Sequence, residues 1–165
     1  MGTLSAPVTK ESAIIQRTIL TFRHYHRASG VMNSFAQVGV RTSSLARKEL
    51  ERQEFFGGMP ERLKVVLVSA ESLGLPEGVR YDKIFRHGIK LGLNLCPWQT
   101  AYQYRLLTAN NQRRGQHVIV VSERFSPMPG NPMFAVTHHE DKFKLILQFC
   151  GGRSKQKVLF LFVDP

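Results

Sequence analysis

The segment "RLKVVLVSA", residues 62–70, contains an unbroken apolar row from Val65 to Val68, bounded by charged residues and a serine. A strand with one face in water alternates apolar and polar side chains, whereas a strand that is covered on both faces is apolar throughout. The segment therefore predicts a strand in the interior of a sheet, buried on both of its faces.

Downstream of this strand the sequence predicts one helix and further strands. In residues 81–91, "YDKIFRHGIKL", the apolar residues recur at helical spacing, and Gly92 is placed to end the helix in a left-handed conformation. Strands are predicted at 103–107, 117–121, 132–136, 142–149 and at the end of the chain, in "KVLFLFVDP". Because most of these strands follow one another directly, we expect an α+β fold: an N-terminal helical segment, then a largely antiparallel sheet of about five strands with one packed helix.

Upstream of residue 57 the patterns predict helices. Residues 1–10 have no periodicity and are expected to form a flexible arm, and residues 11–56 form the helical segment. The first helix is predicted from Ser12 to about His26, with Gly30 as a break after it. Two more are predicted at 31–38 and 45–54, the last capped by Ser43 or Ser44. Gly and Pro residues favour a linker at 57–62, followed by an α+β domain over 63–165.

The stretch "SFAQVGVRTSSLARKEL" has the outline of a helix-turn-helix: a helix, a Gly-Val turn and a capped helix. Lys48 stands where the second helix of such a motif needs an apolar residue on its inner face. An ordinary helical hairpin is therefore the favoured interpretation.

The charge balance is the most unusual bulk property of the chain. Its net charge is +11 and its isoelectric point is near 10.2. Such an excess of Lys and Arg is typical of proteins that bind a polyanion, either nucleic acid or an acidic protein. Two cysteines, no secretory leader pattern and no apolar run of bilayer length lead us to expect a cytoplasmic protein that does not enter a membrane.

Two loops of the predicted sheet carry the candidate polyanion-binding residues. These loops, "NNQRRG" and "GGRSKQK", supply Arg113, Arg114, Arg153, Lys155 and Lys157, and the helical segment adds Arg41, Arg47, Lys48 and Arg52. Near the first loop lie three aromatic residues that are candidates for stacking on bases: Trp98, Tyr102 and Tyr104. The alternatives stay open, because Tyr102 and Tyr104 share one face of the predicted strand and can belong to the core, and loop charges also protect strand edges.

A second set of polar residues is the candidate for a small pocket: Cys96, Arg105, Gln112 and Glu123. Arg105 and Glu123 are expected to face each other across neighbouring strands, and a structural ion pair is favoured over a catalytic role. Cys96 follows a helix C-terminus, where the helix dipole raises a thiol pKa, so it is expected to be a small buried residue.

No cofactor or metal site is predicted. His138, His139 and Cys150 form the most compact set of metal-ligating residues. Adjacent histidines on a strand point to opposite faces, however, and a structural zinc site needs four ligands at recurring spacings.

The segments "VVLVSAESLGLPEGVRYDKIFRHGIKLGLNLCP", "YRLL", "NNQRRG", "SERF" and "GNPMFAV" resemble a bacterial family of small uncharacterised proteins with an LGLxLCP signature. The resemblance covers roughly residues 64–136. It implies no activity, cofactor or catalytic residue. The chain departs from the family at Ala101 and Tyr102, where the family has Gly-Pro, and it has basic residues where the family has acidic ones: Arg86, Lys90, Arg113 and Arg114.

From these observations the sequence favours a non-enzymatic binding module for nucleic acid or another polyanion. Two alternatives remain: an enzyme with a pocket near Cys96, Arg105 and Glu123, and an accessory protein that binds an acidic protein partner. The oligomeric state is left open.

Overall fold

The computed structural model describes residues 5–55, 59–123, 129–155 and 157–165. Its strands form one sheet in the order β1-β3-β7-β4-β5-β6-β2. The strands are β1 (Gln16–Thr21), β2 (Val40–Thr42), β3 (Arg62–Ser69), β4 (His117–Val120), β5 (Pro132–His139), β6 (Lys142–Phe149) and β7 (Val158–Val163). The helices are α1 (Lys10–Ala13), α2 (Ala28–Gln37), α3 (Ser44–Arg52), α4 (Tyr81–Lys90) and α5 (Thr100–Leu107).

The α+β class is thus confirmed, with a larger sheet and more helices than expected. Pairing is antiparallel between β1 and β3, β3 and β7, β4 and β5, and β5 and β6. It is parallel between β4 and β7 and between β2 and β6. The sheet is therefore mixed.

Two apolar clusters cover the two faces of the sheet. Helices α2, α3 and α5 pack on one face, against residues such as Leu67 and Val120. Helices α1 and α4 pack on the other, against residues such as Val66 and Phe160. Residues Val65 to Val68 are all buried, which confirms that β3 is an interior strand covered on both sides.

Several local predictions downstream and upstream are confirmed. The helix predicted over 81–91 is α4, and Gly92 follows it with φ +94°. Helices α2 and α3 match two of the three predicted upstream helices, and the Ser43 side chain accepts a hydrogen bond from the Ala46 backbone N–H at 3.2 Å. The strands predicted at 117–121, 132–136, 142–149 and the chain end correspond to β4, β5, β6 and β7.

The predicted first helix, from Ser12 to about His26, is wrong. That stretch contains the short helix α1 and then strand β1, which pairs with β3. Leu20 is buried whereas Ile19 is 58% exposed, an alternation typical of a strand with one covered face. Gly30 does not break a helix either, because it lies inside α2.

The predicted strand at 103–107 is also wrong, because these residues belong to α5. Positions 100–105 of this helix are all buried. A helix that is surrounded by protein does not show the one-sided apolar period that identifies amphipathic helices. Its sequence pattern was therefore compatible with either element.

The helix-turn-helix outline is not realised, since β2 lies between α2 and α3 and pairs with β6. The linker predicted at 57–62 lies partly outside the described residues, as does the start of the predicted arm. Strands β1 and β2 precede residue 57 and belong to the same sheet as the later strands.

Candidate polyanion interface

Four polar residues, three of them of basic types, form a row across four neighbouring strands at one end of the sheet. Arg41 of β2 is in register with Lys144 of β6, Lys144 with Thr137 of β5, and Thr137 with His117 of β4. Side chains in register on neighbouring strands point to the same face of a sheet. His139 and Lys142, which are in register with each other, lie on this face one step further along their strands. We call these six positions, with Lys155, the basic face.

The cations of the basic face reach solvent, whereas Thr137 in the middle of the row is buried. Arg41 and His139 are exposed, and Lys142 and Lys144 are half-buried. Helices α2, α3 and α5 pack on the opposite side of the sheet, against the alternate residues of the same strands, such as Phe134 and Leu145. The polar residues of β2 and β6 therefore have no helical cover from that layer.

The cations of this face lack acidic partners within the described part of the chain. Seven ion pairs are found there, and none of them includes Arg41, Lys142, Lys144 or Lys155. Unpaired cations on neighbouring strands repel one another, so their positive potential adds rather than cancels.

The pKa of His117 is affected by this positive potential. Burial lowers its pKa to about 4, and the charges of His139 and Lys155 lower it further within that total. The His117 and His139 rings lie 6.0 Å apart between centroids. Burial is the larger cause, and the smaller contributions of His139 and Lys155 agree with the register of His117 and Val158, which brings the β6–β7 loop beside β4.

The two predicted basic loops meet at this end of the sheet. Strands β4 and β7 are parallel, and His117 is in register with Val158, so the loops that precede both strands emerge side by side. Arg113, Arg114, Lys155 and Lys157 are all exposed there. Arg114 makes an ion pair with Asp141 at 3.5 Å, which ties its loop to the β5–β6 turn.

The remaining predicted cations lie elsewhere. Arg153 donates to the carbonyl of Gly78 at 3.2 Å. Arg47 and Lys48 are exposed on α3, which belongs to the helical layer on the opposite face. Sequence reasoning named Arg41 as a candidate of the helical segment, whereas the structure places it on β2, and it missed Lys144. The alternation of lysines with Phe143 and Leu145 along β6 carried a signal for Lys144.

The aromatic residues do not form a stacking surface. Tyr102 and Tyr104 are 4% and 3% exposed, so their assignment as base-stacking residues is wrong and their assignment to the core is confirmed. Trp98 is half-buried, with its ring 5.3 Å from that of Phe55 in an edge-on arrangement.

Two members of the predicted pocket set meet in the core instead of in a pocket. Arg105 lies on α5, fully buried, and donates to Gln112 Oε1 at 2.7 Å. Burial lowers the pKa of Arg105 to about 10, so the guanidinium stays charged at neutral pH. The expected cross-strand pair with Glu123 is wrong, because Arg105 is not on a strand and Glu123 is exposed.

Cys96 is 3% exposed, which confirms its assignment as a small buried residue. Its Sγ donates to the carbonyl of Leu161 at 3.4 Å, and burial raises the pKa of the thiol. Within the described residues, no group of three or more His, Cys, Asp and Glu side chains is placed to hold a metal ion.

No family model, no curated protein and no solved structure matches this chain. The resemblance to the LGLxLCP family therefore stays a prediction. In the part of the chain that the structure describes, no helix has the length and apolar character needed to cross a membrane.

Proposed function

We propose that this protein is a non-enzymatic binding module that holds single-stranded nucleic acid on its basic face. The observation that carries the proposal is the set of unpaired cations on one face of the sheet, where Arg41 of β2 is in register with Lys144 of β6, and Lys142 and Lys155 lie nearby. Strands in a sheet lie about 4.8 Å apart, so Arg41 and Lys144 present two positive groups at a short separation. Closely spaced cations suit the repeated phosphates of a nucleic-acid backbone.

The shape of the surface favours a single strand over a duplex. The grooves of a duplex admit a helix or a two-stranded ribbon, and a seven-stranded sheet is too broad to enter them. Open sheet faces are instead a recurrent platform for single strands.

Binding to a fluorescent single strand at increasing salt tests the proposal. The double variant Arg41→Ala, Lys144→Ala removes two cations from the basic face, and Arg47→Ala, Lys48→Ala removes two from α3 as the matched control. If the row contacts phosphates, the first variant should lower the magnitude of the salt slope by roughly 1.4, at about 0.7 per lost contact. The control should leave the slope nearly unchanged.

Equal losses from the two double variants would show diffuse attraction to a chain of net charge +11 and would refute a localised face. Absence of binding at low salt would refute nucleic-acid binding as a whole. If polyaspartate displaced the single strand as readily as unlabelled nucleic acid does, an acidic protein would be the better partner.

The enzyme alternative gains no support from the geometry. Cys96 and Arg105 are both buried, and the guanidinium of Arg105 is engaged by Gln112 and by backbone carbonyls. Glu123 lines a separate apolar groove beside Phe85 and Met133.

A further inference from the structure

A cavity of about 500 Å³ lies beside the basic face. Its walls are the end of β3 with the turn that follows, and the segment that leads into β7. Its lining includes Glu71, Glu77, Lys155 and Lys157 around an apolar floor to which Leu75 and Val158 belong. The volume is within the range of small-molecule sites in proteins.

The cavity adjoins the basic face directly. Lys155 and Val158 both line the cavity. Val158 is in register with His117, and the charge of Lys155 contributes to the lowered pKa of His117. A strand bound along the row from Arg41 to His117 would therefore reach the cavity at the end of the row.

The walls of the cavity are held in place by backbone hydrogen bonds. The Ser154 N–H donates to the carbonyl of Val79 at 2.8 Å, and the Tyr81 N–H donates to the carbonyl of Gly152 at 3.1 Å. These bonds tie the β6–β7 loop to the turn that carries Glu77. The cavity is therefore formed before any ligand arrives.

Charges of both signs line this cavity without neutralising one another. Among the described residues, no ion pair joins Glu71 or Glu77 to Lys155 or Lys157. Carboxylates repel phosphates, so two of them beside a phosphate-binding row weaken binding unless the ligand also carries hydrogen-bond donors. The ribose 2′-hydroxyl is such a donor, and acidic side chains accept hydrogen bonds from it in other nucleotide sites.

We propose that this cavity takes one ribonucleotide of the bound strand and so makes the protein selective for RNA. Lys155 and Lys157 hold its phosphate, and the carboxylate of Glu71 or Glu77 accepts the single hydrogen bond that the ribose 2′-hydroxyl donates. The 2′-hydroxyl is the group that distinguishes RNA from DNA at a given site. This inference rests on the proposed single-strand binding and adds the class of strand.

Two labelled probes of about twelve nucleotides, oligouridine and oligodeoxyuridine, differ only at the 2′ position and are suited to a single-strand site of this kind. Fluorescence anisotropy at one fixed salt concentration should show the RNA probe binding about ten-fold more tightly, the effect of one hydrogen bond to a charged acceptor. Loss of the accepting carboxylate, in Glu71→Ala or in Glu77→Ala, should lower this ratio of affinities.

The matched control is Glu61→Ala, which removes an exposed carboxylate before β3 instead of after it. It should change both affinities alike and leave the ratio unchanged. The ratio is the decisive readout, because loss of any negative charge strengthens binding of both probes.

Equal binding of the two probes by the unaltered protein would overturn the RNA selectivity and leave single-strand binding intact. A ratio that persists in both Glu71→Ala and Glu77→Ala would overturn the assignment of the cavity. Failure of both probes to bind would instead remove the proposed function itself.

Discussion

Replacement of Arg105 by Met should destabilise the protein through its hydrogen bonds rather than through its packing. The Arg105 side chain is fully buried on α5. Its Nη1 donates to Gln112 Oε1 at 2.7 Å, to the Thr137 carbonyl at 2.9 Å and to the Lys144 carbonyl at 3.2 Å, and its Nη2 donates to the Thr108 carbonyl at 3.2 Å. The side chain thereby joins α5, the loop before β4, and strands β5 and β6.

Three contributions determine how much Arg105→Met lowers the free energy of unfolding. Gln112 is 5% exposed and its Oε1 accepts from Arg105, so Arg105→Met leaves a buried amide oxygen without that donor, at a cost of about 1–3 kcal/mol. Loss of the other hydrogen bonds from a charged donor adds to this cost, and removal of a desolvated cation offsets part of it. Because Met keeps the unbranched stem, the packing term is small. We expect a net loss of about 2–4 kcal/mol in the free energy of unfolding.

A double-mutant cycle isolates the contact between the two side chains. Gln112→Leu alone removes one acceptor from the guanidinium, which keeps its bonds to backbone carbonyls. It also removes the donor to the Val136 carbonyl, a bond of 3.0 Å. The double variant Arg105→Met, Gln112→Leu replaces both partners by apolar groups, so it should cost less than the sum of the single changes, by about 1–2 kcal/mol.

Urea denaturation followed by circular dichroism gives the free energies, provided that the m-values of the four proteins agree. Arg86→Met is the matched control, because Arg86 is an exposed arginine on α4 and its replacement should shift the midpoint little. An Arg105→Met protein as stable as this control would contradict the expected role of these hydrogen bonds. So would single changes in the free energy of unfolding that simply add in the double variant.

Three further predictions concern other buried groups. Burial lowers the pKa of His117 from 6.5 to about 4. The free energy of unfolding should therefore fall by up to about 3 kcal/mol as the pH drops from 6.5 to 4, because the unfolded state binds the proton first. His117→Gln should remove this part of the pH dependence in urea titrations. Gly88→Ala places a Cβ 2.6 Å from Cζ of Phe162. It should therefore lower the free energy of unfolding by about 1–3 kcal/mol, although Ala favours helices more than Gly does. An unchanged midpoint in thermal or urea unfolding would contradict the close packing of α4 on β7. Burial raises the pKa of the Cys96 thiol, and burial also raises the pKa of Cys150, in that case to about 12. A thiol reagent at neutral pH should therefore modify both only after unfolding, and rapid labelling of the native protein would show that one of them is accessible.

The sequence alone determined those elements whose signals are local. The apolar row of β3 needs no knowledge of its neighbours, because only a strand covered on both faces tolerates it. The Ser43 cap and the Gly92 stop are likewise decided by the chemistry of a few adjacent residues. These features, with the alternation along β6, predicted the α+β class.

The tertiary structure decided the elements whose surroundings are supplied by distant segments. Strand β1 is formed by its pairing with β3, whereas the residues of β1 alone have a pattern that also fits a helix. Helix α5 is enclosed by protein, which hides its period. In both cases long-range packing overrides a weak local preference.

The candidate interface shows the same division. Composition predicted a polyanion partner, and the positions of the two loop clusters predicted part of the surface, since Arg113, Arg114, Lys155 and Lys157 lie at one end of the sheet. The row itself depends on the pairing of β2 with β6, which brings Arg41 beside Lys144. Strand register is set by which faces become buried in the complete fold, so the charge of the chain is readable from its sequence, whereas the surface on which that charge gathers is decided by the sheet.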